Sequence, residues 1–235
     1  MSAAIEVAWI DLEPDADSLS ALESLLDDVE RARVATRATP ALRRRATVSL
    51  ASRRLLAADV LDVAPDDVTL IAGADGRRSA AAPGAAPVAI SVSTCGETGI
   101  VAVAREGAVG VDVEDLGEVP VGDRFVARVA TPAERRTLET LDPAERQRAL
   151  LVLWTRKEAY LKATGEGIGS RLASLDVPLT EGLHGAPWHP VEDETWFLYD
   201  LDCPRPGLAG TLTTDATCTD GSGRLVAPTM RVRSL

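Results

Sequence analysis

Short runs rich in apolar and β-branched residues occupy 5–10, 68–72, 88–93, 100–104 and 109–114, and each predicts a strand. Between the first two, the spacing lengthens to that of helices. Residues 19–30 read as one helix behind Asp17 or Ser18 as cap, and Pro40 opens a longer helical stretch to Leu61. Residues 73–87, rich in Ala, Gly and Pro around Asp75-Gly76-Arg77-Arg78, read as a loop. Arg105-Glu106-Gly107-Ala108 separates two strand runs and predicts a hairpin. The second half follows the same outline. Thr131-Pro132-Ala133-Glu134 carries a cap, a first-turn proline and a capping box, and Leu141-Asp142-Pro143 ends that helix and opens a long one. Gly165-Glu166-Gly167-Ile168-Gly169 closes the long helix, and strands at 195–201 and 208–214 follow, with 224–232 as a last edge strand. The pattern predicts an α+β fold: a pseudo-two-fold pair of similar subdomains, residues 1–108 and 109–235, each a small antiparallel sheet packed with helices, with a cleft between them.

The long second-half helix departs from a simple amphipathic pattern. On a helical wheel, Leu150, Leu151, Trp154 and Leu161 form an apolar arc, with Arg148, Thr155, Arg156 and Ala159 opposite. Glu158 falls inside the apolar arc, Lys162 sits one turn on, and Lys157 borders the same side. A desolvated carboxylate without partners is costly, so Glu158 requires a cation. The chain has 25 Lys plus Arg, yet its only lysines are Lys157 and Lys162. A lysine is a compact point charge that can approach a phosphate or pass a proton. In 109–114, alternation sets Val109, Val111 and Val113 on one face and Gly110, Asp112 and Glu114 on the other. Residues two apart on a strand lie roughly 7 Å from one another, so two carboxylates share one patch. An i,i+4 pair on a solvated helix and a solvent-facing hairpin edge would each explain one stretch alone. Together, Asp112, Glu114 and Glu158, with no nearby His or Cys, suit Mg2+ or Mn2+, and Gly110 leaves room for a ligand.

Composition narrows the partners. Hydrophobic content of 46% supports a sizeable core, and a net charge of -11 with a pI near 4.7 weighs against general nucleic-acid or anionic-membrane binding. A local basic pocket remains available from Arg43, Arg44, Arg45, Arg53 and Arg54. Cys95, Cys203 and Cys218 are an odd number without metal-finger spacing and fit reduced thiols. With no signal peptide and no bilayer-length apolar run, the expectation is a soluble cytoplasmic protein.

Gly110-Val111-Asp112-Val113-Glu114 and, forty-odd residues on, Trp154-Thr155-Arg156-Lys157-Glu158-Ala159-Tyr160-Leu161-Lys162 together resemble the signature of the 4'-phosphopantetheinyl transferase superfamily, in its larger two-subdomain (Sfp-type) branch. The resemblance implies transfer of the phosphopantetheine arm of coenzyme A onto a serine of an apo acyl or peptidyl carrier protein, by a monomer. Fatty-acid, polyketide and nonribosomal peptide carriers are all candidates, and charge alone points to Arg124, Arg128 and Arg135, or to the loop after Gly165, as docking contacts for such acidic partners. By motif, Asp112, Glu114 and Glu158 would hold Mg2+ (or Mn2+) against the diphosphate. Lys162 would stabilise or protonate the leaving group, and Glu158 would deprotonate the serine directly or through a metal-bound water. Arg54, with Arg53 as alternative, Gly76, Arg77, Ser91, Ser93, Lys157 and Lys162 would contact coenzyme A. Two departures stand out: Arg78 replaces the proline after Gly76-Arg77, and Val92 replaces the histidine of the family's Asn-x-Ser-His-Ser segment. Losing that charge-assisted donor costs about 1–3 kcal/mol. A non-catalytic relative that binds coenzyme A or carriers is the rival reading.

Overall fold

The computed structural model describes residues 5–117, 122–167, 171–179, 184–188, 196–215, 218–219, 225–226 and 230–234. Strand β1 (Ile5–Asp11) buries every residue but its last. The stretch expected as one helix forms two, α1 (Ala16–Ser24) and α2 (Asp28–Ala35). Asp27 is the reason. Its Oδ1 accepts the Glu30 N–H at 2.8 Å while Glu30 Oε2 accepts the Asp27 N–H at 3.0 Å, a capping box that restarts the helix. Helix α3 (Pro40–Leu61) is capped by Thr39 and ends at Asp62, a left-handed residue at φ 59°.

Strands β2 (Thr69–Ala72), β3 (Arg78–Ala81), β4 (Val88–Cys95), β5 (Thr98–Ala104) and β6 (Val109–Asp115) follow. β3 lies within the expected loop. Its Arg-Ser-Ala-Ala sequence carries no strand signal, and its pairing with β2 and β4 supplies the ladder instead. Then come α4 (Asp123–Val129), α5 (Pro132–Glu139), α6 (Pro143–Thr164), β7 (His184–Trp188), β8 (Trp196–Leu201), β9 (Leu208–Thr214), β10 (Cys218–Thr219), β11 (Leu225–Val226) and β12 (Met230–Ser234).

The expected hairpin between β5 and β6 does not form. β5 lies in a sheet of order β12-β1-β5-β4-β3-β2, whereas β6 begins a second sheet of order β6-β9-β8-β7. The 105–108 turn hands the chain from one sheet to the other. Local turn chemistry is the same for both outcomes, and the tertiary partner decides between them. β12 joins the first sheet parallel to β1, so that sheet is mixed rather than purely antiparallel.

Four layers result. α3 packs on the outer face of the first sheet through Val48, Leu56 and Val60 against Ala8, Ile10, Val101 and Val103. The two sheets meet face to face, with Val109, Val111 and Val113 set among Ile5, Val7, Ile100 and Ala102. α6 covers the outer face of the second sheet through Leu150, Leu153 and Leu161 against Trp196 and Leu198. The fold is α+β, as expected. A pseudo-two-fold relation does not follow from the strand orders, since six strands face four and β12 returns to the first half's sheet. Among the described residues, no helix is long and apolar enough to cross a membrane.

Candidate active site

Helix α6 is buried over almost all of its second half, from Leu153 to Ala163 with Trp154 and Lys162 half-buried. β6 lies directly against it. The close approach depends on Gly110, where a Cβ would stand 1.9 Å from the Ala159 carbonyl oxygen and 2.7 Å from the Ala163 nitrogen. The room left by Gly110 is therefore filled by α6, not by a ligand. The next residue on that face, Asp112, is thereby brought to the last turn of α6. The open edge of β6 is closed by β4, where Ser91 Oγ accepts the Val111 N–H at 2.9 Å.

The polar contacts radiate from Asp112, which is 2% exposed. Lys162 Nζ donates to Asp112 Oδ1 at 2.6 Å and to Ser93 Oγ at 2.9 Å, and Ser93 Oγ donates to the same Oδ1 at 2.7 Å. Trp154 Nε1 donates to Glu114 Oε1 at 2.9 Å, and the Phe125 ring of α4 lies against the Trp154 ring at 5.0 Å. Glu158, also 2% exposed, completes the acidic wall. Two buried oxygens on this wall, Asp112 Oδ2 and Glu158 Oε1, have no hydrogen-bond partner among the described residues. Asp112, Glu114, Trp154, Glu158, Lys162 and Ser93 line a cavity of about 370 Å³, which Val92 and Arg78 also reach.

Electrostatics follow from burial. Burial, with the negative charges of Asp112 and Glu114, pushes the Glu158 carboxyl up to about 7 against the opposing pull of Lys162 and Arg128. Burial also raises Asp112, and the Lys162 ammonium and Ser93 hydroxyl oppose it. Among the described residues, no three His, Cys, Asp or Glu side chains converge closely enough to hold a metal by themselves. The donor set nevertheless fits a hard divalent ion. Asp112 and Glu158 both line one polar cavity and each keeps a carboxylate oxygen without a hydrogen-bond partner among the described residues, and such an ion completes its shell with water and phosphate oxygens.

Several residues anticipated at a ligand have other partners. Lys157 is fully buried and donates to Glu134 Oε2 at 2.6 Å and to the carbonyls of Val129 at 2.7 Å and Leu172 at 2.8 Å. Glu134 in turn closes the α5 capping box and accepts the Val177 N–H at 2.8 Å, so this pair ties α5, α6 and 172–177 together. Arg54, 3% exposed, pairs with Glu30 at 2.7 Å and Asp27 at 3.2 Å and also donates to the Pro65 and Val68 carbonyls. It fastens α2 and the 65–68 turn to α3. Its neighbour Arg53 donates to the Ser49 carbonyl at 2.9 Å and to Ser49 Oγ at 3.2 Å, and it lines a cavity of about 120 Å³ with Arg33, Arg78, Asp27 and Glu30 and another of about 200 Å³ with Arg37 and Arg45. Burial and the charges of Arg78 and Arg33 push its guanidinium down to about 10. Arg77 makes an exposed pair with Asp75 at 2.7 Å, and Gly76 turns the backbone at φ 82°. This loop abuts the end of α6, since a Cβ on Gly165 would meet Asp75 O and Arg77 Cγ at 3.0 Å each. Ile168 and Gly169 lie outside the described residues.

Two features escaped the pattern. Arg156, placed on the polar side of the wheel, is fully buried and bonds both oxygens of Asp200. Trp154 is a hydrogen-bond partner of an acidic residue as well as part of the apolar arc. Neither partner, 44 and 40 residues away, is signalled by local spacing.

Residues 108–196 match the 4'-phosphopantetheinyl transferase superfamily. Over 94 residues the chain is 31% identical to the holo-[acyl-carrier-protein] synthase of Oenococcus oeni, a match covering 38% of this chain and 72% of that protein. The chain belongs to the 4'-phosphopantetheinyl transferase superfamily. A putative 4'-phosphopantetheinyl transferase of Synechocystis is 30% identical over 150 residues, 64% of this chain and 61% of that one. A 4'-phosphopantetheinyl transferase of Nostoc is 33% identical over 96 residues, 40% and 38% of the two chains. The chain thus spans less than two thirds of the length of either of these two relatives. The superfamily match begins just ahead of β6 and runs past α6, so it takes in both elements that carry the acidic wall. The arginines around Arg53 lie outside it.

Proposed function

We propose that this chain transfers the 4'-phosphopantetheine arm of coenzyme A to a serine of an apo acyl or peptidyl carrier protein, releasing adenosine 3',5'-bisphosphate. The observation that carries the reading is the convergence on one cavity of Lys162, Asp112, Glu114 and Glu158, supplied by separate elements, with one oxygen each of Asp112 and Glu158 unpartnered among the described residues. Asp112, Glu158 and Glu114 would hold Mg2+, with Mn2+ as a substitute. Bound there, the ion would neutralise charge on the diphosphate.

The chain's own groups do the remaining work. Glu158, whose carboxyl is pushed up to about 7, takes the proton of the serine hydroxyl. The serine oxygen bonds the phosphorus bearing the pantetheine arm as the phosphoanhydride bond to the adenosine bisphosphate breaks. Lys162, a quarter exposed at the cavity, stabilises the charge left on the departing phosphate. For the 3'-phosphate, Arg53, Arg33 and Arg78 form the basic cluster, in place of the internally paired Arg54. Arg78 reaches the same cavity as Val92 and replaces the donor lost there. Ser93 lines the cavity, Ser91 holds the β4–β6 seam, and Gly76-Arg77 shape the loop beside α6. Carrier docking falls to Arg124 and Arg128 on α4. The Arg128 charge already acts on Glu158, and Arg135 braces α4 by donating to the Ala127 and Ala130 carbonyls at 2.9 Å each. We take the enzyme as a cytoplasmic monomer of the two-subdomain branch, with its division near 108/109.

The test is mass spectrometry of an apo carrier panel incubated with the protein, coenzyme A and Mg2+. One phosphopantetheine is gained with the natural chain and none with Glu158→Ala. Val92 and Arg78, the two departures from the family pattern, favour a non-catalytic relative that binds coenzyme A or carriers, for which calorimetry would register binding and every carrier would stay unmodified.

A further inference from the structure

The acidic wall carries a cation of its own. The Lys162 ammonium stands 2.6 Å from Asp112 Oδ1, and Ser93 bridges the two, so one oxygen of Asp112 accepts two donors. The other oxygen of the same carboxylate, and one oxygen of Glu158, accept none from the described residues. This lopsided arrangement has a physical reason. A carboxylate as deeply buried as Asp112 requires compensation, and within the described residues Lys162 is the ion-pair partner that reaches it. A hard divalent ion approaching Asp112 therefore meets an ammonium already in place, and the two cations repel.

Lys162 differs from the other lysine in what holds it. Lys157 is sealed by three acceptors in the core, whereas the Lys162 side chain is 23% exposed on the cavity and carries four rotatable bonds. It can leave Asp112 for another anion that enters the cavity. A diphosphate offers one, and its arrival would free Asp112 Oδ1 at the moment when phosphate oxygens also become available to a metal.

We propose that Lys162 is a resident counter-ion that excludes the divalent ion from Asp112 until a diphosphate draws it away, so that metal and diphosphate each favour the other's binding. The identity of the two ligands rests on the functional reading above. The coupling rests on the Lys162–Asp112–Ser93 contacts. Coupling between sites typically amounts to about a 5- to 150-fold change in affinity, and it is reciprocal.

Mn2+ binding to the full chain, followed by electron paramagnetic resonance of the free ion, tests this without any turnover. Natural protein should bind Mn2+ weakly alone and at least about fivefold more tightly when saturated with inorganic diphosphate, after correction for Mn2+-diphosphate in solution. Lys162→Met should bind Mn2+ alone at least about tenfold more tightly than the natural protein and lose most of the diphosphate effect. Arg128→Met separates displacement from bulk charge, because Arg128 influences Glu158 through space without bonding the wall. It should tighten Mn2+ binding by no more than about threefold, a small through-space effect of an exposed charge. Equal tightening in both variants, or none in Lys162→Met, overturns the proposal. Should Lys162→Met fail to fold, absence of diphosphate coupling in the natural protein overturns it equally. If instead the Mn2+ results hold while no carrier gains mass, the functional reading falls and the counter-ion stands.

Discussion

Arg53 and Arg54 are neighbours with opposite fates, and the difference is one step of about 100° around α3. Arg54 is turned toward α2, where it neutralises buried Glu30, while Arg53 is turned toward Arg33 and Arg78. Removing one partner of a buried pair leaves the other uncompensated. Arg54→Ala is thus expected to cost about 3–5 kcal/mol of stability, measurable by urea unfolding. Arg53→Ala should leave the unfolding midpoint within about 0.5 kcal/mol of the natural chain and raise the KM for coenzyme A instead. The spacing of an arginine pair on a helix does not reveal that either is turned inward, because neighbours about 100° apart can share a solvated face. Glu158 yields a pH prediction. Its folded value, about 7, lies above the 4.5 of an ordinary glutamate, so the folded state holds a proton that the unfolded chain releases. The resulting contribution is fully present below about 4.5 and is lost as pH rises through about 7. Buried Asp112, also raised, acts in the same direction. Metal-free protein should therefore become less stable between pH 5 and 8, and Glu158→Gln should flatten that slope in chelator-containing denaturation curves.

β6 and α6 behave as one unit because Gly110 lets them touch. A methyl group at that position would overlap the Ala159 carbonyl, and neither backbone can yield without moving the other. Gly110→Ala is expected to destabilise the fold by about 1–3 kcal/mol or more, as overpacking does, and to shift Asp112 away from Lys162. Thermal melting reads the first effect, and loss of transferase activity beyond the loss of folded protein reads the second. The alternation of valines with Gly110, Asp112 and Glu114 was legible in the sequence, as was the burial of Glu158 on α6. What faced Gly110 was not, because a glycine offers the same sequence signal whether a ligand or a helix fills its place. α2 and β3 escaped for different reasons. The restart of a helix at Asp27 depends on a two-way cap that competes with an unbroken apolar pattern, and β3 is a strand through its neighbours' pairing rather than its own residues.

The layered arrangement decides how the cavity is assembled. Its floor comes from β6 and α6, and Ser93, Val92 and Arg78 reach it from the first sheet, so the site exists only when the two sheets are stacked. β12 closes the first sheet against β1, with Arg231 paired to Glu6 at 2.8 Å. Deleting residues 230–235 should uncover the β1 edge and lower the melting temperature, with a greater tendency to self-associate in light scattering. Because β1 faces Val111 across the sheet interface, coenzyme A binding should weaken in parallel. The sequence alone determined the valine alternation of β6, the capping boxes that open α5 and α6, the acidic residues of the two motifs and the two lysines as a pair worth notice, while the cap of α1 fell at Asp15 rather than at Asp17 or Ser18. These depend on residues within a few positions of each other, where periodicity and capping act. Only the tertiary structure decided that the 105–108 turn changes sheets, that Lys157 belongs to the core while Lys162 belongs to the cavity, and that Arg54 is held by Glu30 and Asp27 while Arg53 is held by Ser49. Apart from the Ser49 contact, each of those outcomes is fixed by partners distant along the chain, whose approach is set by how the layers pack.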